Sequence, residues 1–122
     1  MRTKRHKNLA QSLPIDAKEI YHQIFTEYIP KYYSSDHKIT DPQIRELLLE
    51  RGVKKSYTLS IILRAVVNEF RKNEIVPICS NNKGYWIGKN KGEIMSTIES
   101  LENRIVGLQA AANGLRNMYN NL

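Results

Sequence analysis

Cysteine occurs once, at position 79, so no intrachain disulfide can staple the chain and its stability must come from packing. Long apolar runs are also missing: nothing approaches the stretch of about 20 residues that spans a bilayer. The basic start, MRTKRHKN, is not followed by the apolar segment of a secretory signal. A soluble, intracellular protein without membrane contact is expected. Histidine is scarce and scattered (His6, His22, His37), with no Cys or His at metal-ligand spacing. The six glycines form neither a phosphate-binding loop nor a dinucleotide fingerprint. An enzyme is therefore the least supported class, and neither metal nor cofactor is expected.

Acid is the other shortage. Twelve Asp and Glu face nineteen Lys and Arg, for a net charge of +7 and a pI near 9.6, the balance of a chain that meets phosphates. The excess is uneven: residues 1–91 hold seventeen basic and nine acidic side chains, residues 92–122 two and three. At 122 residues the chain has room for one compact domain and an appendage. The expected division is a basic flexible arm (1–12), a domain (13–91) and a C-terminal helix (92–122). The arm is suited to following a phosphate backbone, although a frayed terminus is the commoner meaning of such a segment.

Within the domain, Asp16 and Glu19 have capping-box spacing, and Ile15 and Ile20 the spacing of a hydrophobic staple. They predict a first helix from Asp16, with Ile20, Ile24 and Tyr28 on one face and Pro30 as its end. A second helix begins at Thr40 or Asp41, has Gln43 in capping position, buries Ile44, Leu47 and Leu48, and stops at Gly52. His37 to Thr40 form a candidate short strand that needs a later hairpin to pair with.

A third helix runs from about Ser56 or Thr58 to Lys72. Leu59, Ile62, Leu63, Val66, Val67 and Phe70 point inward, Ser60, Arg64, Asn68 and Arg71 outward, and Asn73 is a candidate left-handed cap. Ile75–Ser80 and Tyr85–Gly88 read as strands of a hairpin joined through Asn81-Asn82-Lys83-Gly84. Pro77 places its strand at an edge. Tyr85 and Ile87 share the core side, and Trp86, on the other, is expected to pack on the tail.

Three short helices followed by a Gly-bearing hairpin, with Lys54, Lys55, Arg64, Arg71, Lys72 and Lys83 concentrated there, describe a mainly α fold with a small β-hairpin: a winged helix-turn-helix, followed by a long coiled-coil-like helix. The run VVNEFRKNEIVPICSNNKGYWIG resembles the end of the recognition helix and the wing of the biotin-repressor-type winged-helix domain, and small winged-helix proteins of phages and mobile elements. The likeness spans roughly residues 16–89 and is most specific at Pro77-Ile78, Ser80 and Lys83-Gly84-Tyr85. The turn from Gly52 is longer than the family's, and the glycine usual before the wing is absent.

That resemblance implies double-stranded DNA binding, usually as a dimer, in the cytoplasm of a bacterial or phage-infected cell. From the residues themselves, Ser56, Tyr57, Thr58, Ser60, Ile61 and Arg64 fall where the third helix can reach base edges. Cap and solvated surface compete as their explanation. Lys54, Lys55 and Lys83 are candidates for phosphate neutralisation.

From Glu93 a heptad takes over. The a positions are Ile98, Ile105, Ala112 and Tyr119, and the d positions Ile94, Leu101, Leu108, Leu115 and Leu122. Isoleucine at a with leucine at d favours a parallel two-stranded coil, hence a homodimer. Folding back onto its own domain is the alternative for such a helix. A transcriptional regulator or DNA-organising factor is the leading expectation, and a module docking on a host or replication protein the competitor.

Overall fold

The computed structural model describes residues 13–56 and 58–122; the arm expected at 1–12, and Tyr57, lie outside the described residues. It is mainly helical. In chain order it contains α1 (Ile15–Gln23), a π-helical turn (Ile24–Tyr28), α2 (Ile29–Tyr32), α3 (Asp41–Glu50), α4 (Leu59–Lys72), β1 (Ile78–Asn81), β2 (Gly84–Ile87) and α5 (Lys91–Asn120).

The first three elements form one helical rod, and two sequence expectations fail there. Pro30 does not end it. The π turn, in which the Ile29 N–H donates to the Ile24 carbonyl, widens the helix just before Pro30. The proline then falls in the first turn of α2, where its missing N–H is tolerated. The extra residue keeps Ile24, Phe25 and Ile29 all fully buried. At the other end the helix starts at Ile15, behind Pro14, with no side-chain cap. Asp16 thus lies within the first turn, where its charge suits the helix dipole, and Ile15, 73% exposed, makes no staple.

Helix α3 forms as its local signals dictate. Thr40 Oγ1 accepts from the Gln43 N–H at 3.3 Å and the Gln43 side chain accepts from the Thr40 N–H at 2.9 Å, a complete capping box. It ends in a Schellman motif: Gly52 adopts φ +100°, its N–H bonds the Leu49 carbonyl and that of Val53 bonds Leu48. Helix α4 buries Leu59, Leu63, Val66, Val67 and Phe70 against the rod and α3. Its end uses the same motif one residue later than expected: Asn73 keeps φ −90°, and Glu74 takes the left-handed position at φ 55°.

The strands pair antiparallel in the register Ile78–Ile87, Cys79–Trp86, Ser80–Tyr85 and Asn81–Gly84, leaving Asn82 and Lys83 as the tip. The first strand is shorter than expected, β1 starting only after Pro77, and β2 keeps its expected length but lies one residue earlier, at Gly84–Ile87. On the far side of β2, Ile39 makes an isolated bridge with Tyr85 through bonds of 2.9 and 2.7 Å, all of the strand expected at His37–Thr40 that pairs with the hairpin, while His37 bridges back to Ser34. Pro77 therefore precedes an edge strand, as its missing N–H requires. Gly84 is needed here, because a Cβ would lie 2.5 Å from the Ile39 carbonyl oxygen.

Asn90 caps α5, accepting from the Glu93 N–H at 2.9 Å. The first turns pack on β1: Thr97 is buried and its hydroxyl accepts from the Ser80 N–H at 3.3 Å, while Ile94 and Leu101 are half-buried. Trp86 donates to Glu93 Oε1 at 2.7 Å, so it does pack on the tail. The stretch that stands clear begins after Leu101, not at residue 92, and every residue from Glu102 to Leu122 is exposed. No helix among the described residues is long and apolar enough to cross a membrane.

Candidate nucleic-acid interface

The outward face of α4 carries Ile61, Arg64, Asn68 and Lys72, all exposed. Beside it a cleft of about 420 Å³ opens between α4, the N-terminal turn of α3, the hairpin tip and α5. Four cations line it: Arg64 and Arg71 from α4, Lys83 from the tip and Arg104 from α5. Asp41 is the one acid in its wall, and its carboxylate is already engaged by Arg45 Nε at 2.6 Å and the Ser60 hydroxyl at 3.1 Å. Among the described residues that is the only ion pair within 4 Å, so Arg64, Lys83 and Arg104 are not neutralised by a neighbouring carboxylate. Asn68, Asn81 and Asn82 add amides that both donate and accept.

Tyr85 lies between these groups. Burial, and then the Asp41 charge, push its phenol pKa above the ordinary value, while Arg71, Arg64 and Arg104 pull it down. Tyr85 and the three guanidiniums line the same cleft. Arg71 differs from the others and corrects the expectation that it points outward. Its Nε donates to the Ile78 carbonyl at 2.9 Å and its Nη2 to the Ser80 hydroxyl at 3.0 Å, tying β1 to α4. Burial lowers its pKa, and the like charge of Arg104 works in the same direction.

The residues proposed from the sequence divide into groups. Arg64 and Lys83 share the cleft, with Ser60 beside it holding Asp41. Ile61 is 41% exposed on the outer face. Lys54, Lys55 and Ser56 are exposed in the loop before α4. Lys54 and Ser56 border a separate depression of about 330 Å³ beside Leu13, Pro14 and Asp16, so the three lysines do not meet in one cavity. Ser56 and Thr58 bond each other at 2.8 Å, and Ser56 Oγ accepts from the Thr58 N–H, so both hydroxyls serve the turn into α4.

Of the tail positions, Ile94 and Leu101 pack against the domain. Ile98, Ile105, Leu108, Ala112, Leu115, Tyr119 and Leu122 are exposed. Arg104, Asn81 and Asn82 were not foreseen as site residues. Arg104 occupies a coil-flank position and reaches the cleft only because α5 docks on β1. Cys79 is buried, and burial raises its thiol pKa. Among the described residues no three His, Cys, Asp or Glu come together to hold a metal. Compared with family models, with curated proteins and with solved structures, the chain finds no match.

Proposed function

We propose that the chain is a winged helix-turn-helix protein that binds double-stranded DNA sequence-specifically as a dimer, a small transcriptional regulator or DNA-organising factor of the kind phages and mobile elements carry. The observation that carries this reading is the cleft where Arg64, Lys83 and Arg104 converge beside the outward face of α4. The element order supports it: a helical rod, a bridging segment paired to β2, two helices, then a hairpin whose tip flanks the second of them.

With α4 in the major groove, Arg64 pairs with guanine O6 and N7 and Asn68, one turn on, with adenine N6 and N7. Ile61 meets a thymine methyl. Lys83 and Arg104 neutralise phosphates on the hairpin side, and Lys54 and Lys55 those at the other end of α4.

Selection from random duplexes tests the reading, followed by titration of the winner at several salt concentrations. An enriched palindrome is expected, with affinity falling steeply as salt rises. Lys83→Glu should weaken binding to selected and random duplexes alike and reduce the salt slope by about 1 to 2, since it removes a cation and adds an anion. No salt-dependent duplex binding would leave the exposed tail as the working surface and favour docking on another protein.

A further inference from the structure

The apolar stripe of the tail does not stop where the helix meets the domain. An open groove of about 520 Å³ runs between the α4–β1 connection and the root of α5, walled by Ile75, Val76 and Pro77 on one side and by Ile94, Ile98 and Leu101 on the other. Ile75 and Ile98, 40% and 39% exposed, form its rim. Those three α5 residues are the first three seam positions of the heptad. Groove and stripe are one continuous apolar surface, and its outer two thirds are fully exposed. Such a surface on a basic, water-facing chain calls for a cover.

We propose that the cover is the tail of a second copy running antiparallel, not in the parallel register that isoleucine at a and leucine at d favour. This deepens the dimeric part of the function proposed above and rests on it. Charge selects the direction. The e positions are Met95, Glu102, Gln109 and Arg116, and the g positions Thr97, Arg104, Ala111 and Met118. A parallel coil sets each g against the following e of its partner, giving Thr97 with Glu102, Arg104 with Gln109 and Ala111 with Arg116, which unites no opposite charges. An antiparallel coil sets e against e. Glu102 then faces Arg116 of the partner subunit, the two-fold repeats that pair, and Gln109 faces its own copy.

The same register fits the seam. Ile98 meets the partner's Leu122, Leu101 the partner's Tyr119, Ile105 the partner's Leu115, and Leu108 the partner's Ala112. Every layer joins an a to a d position. The partner's last turns thereby close over the groove, while Ile94 stays against its own domain. The contact is isologous and closes at two chains. It sets the two Thr97 positions, where each tail is anchored, about 39 Å apart along the coil at 1.5 Å per residue. That lies close to one turn of B-DNA, the spacing a two-fold pair of reading heads needs.

Oxidative cross-linking of the full chain tests the direction, with the unsubstituted protein alongside to show what buried Cys79 contributes. An equimolar mixture of Glu102→Cys and Arg116→Cys chains should give the mixed disulfide dimer, neither variant alone should give its own, and Ile98→Cys alone should stay unlinked. Glu102→Arg should weaken dimerisation about tenfold, the effect of two such pairs, and the double swap Glu102→Arg with Arg116→Glu should recover it. An Ile98→Cys homodimer without the mixed 102–116 link overturns the antiparallel arrangement and leaves a parallel dimer. A chain that sediments as a monomer and links in no combination overturns dimerisation altogether. Duplex titration of the same samples reports separately whether DNA binding stands.

Discussion

Arg64 and Arg71 lie two turns apart on one face of α4 and carry different duties. Arg71 is fastened to the hairpin by two hydrogen bonds from a half-buried guanidinium. Arg71→Leu should lower stability by about 1–3 kcal/mol in urea unfolding, because the Ile78 carbonyl is left without its donor. Arg64→Ala should leave stability within about 0.5 kcal/mol yet cost about 1–3 kcal/mol of binding and relax base preference at one site position. Tyr21 offers a pH signature. It is 1% exposed, and among the described residues its hydroxyl has no hydrogen-bond partner. Burial, then the Asp41 charge, push its pKa from 10 to about 12. The folded chain thus holds this proton more tightly than the unfolded chain does. The linked stabilisation is complete below pH 10, is lost as pH rises through about 12, and amounts to about 3 kcal/mol at most. Tyr21→Phe should leave neutral-pH stability unchanged or slightly raised and flatten the alkaline loss, as chemical unfolding at pH 8 and above pH 10 would show.

Among the elements, the junction of β2 with α5 decides where the tail points. Glu93 accepts from the Trp86 indole at 2.7 Å through one carboxylate oxygen and from the Asn90 side-chain amide at 2.8 Å through the other, while Asn90 caps the helix. A single carboxylate therefore joins strand, cap and first helical turn. Glu93→Ala should red-shift Trp86 emission and cost about 1–3 kcal/mol, since a buried indole N–H loses a charged acceptor. Unchanged emission and stability would mean that the packing of Ile94 and Thr97 fixes the helix without it. Glu74 is a second junction of this kind. It holds the left-handed position between α4 and β1 without being glycine, a strain offset by the two Schellman bonds made there.

At the scale of the molecule, a basic domain with converging arginines is joined to a tail of almost no net charge, so the two ends suit different partners. The tail is rooted too deeply to be removed whole. A chain ending at Arg104 keeps Thr97 on Ser80, Glu93 on Trp86 and Leu101 beside the groove, and should remain folded as a monomer by sedimentation. Its duplex affinity should fall steeply, because two linked modest contacts become one. A chain ending at Lys91 loses all of those contacts and should melt well below it. If the Arg104 chain keeps full affinity, the distal tail has no part in DNA binding.

Local chemistry alone determined much of this chain. The capping box and the glycine stop bound α3, because their partners lie within a few residues. The inward stripe of α4 was legible from its 3.6-residue period, and the hairpin from Asn81–Gly84 between two β-prone runs. Arg64 and Lys83 were legible as outward-facing cations for a similar reason: helical period and turn chemistry place both on the surface, where they line the cleft. What the sequence could not supply depends on neighbours far along the chain. Pro30 and Asp16 obey local rules that a π turn, packed against the core, and Pro14 override. Arg71 matches Arg64 in its helical position but meets Ile78 and Ser80 once the hairpin folds back. Arg104 reads as the flank of a coil until Thr97 docks on Ser80 and turns it toward the cleft. Hydrogen bonds within a turn are set by chain order, whereas a convergence of charges from four elements exists only after the core has brought those elements together.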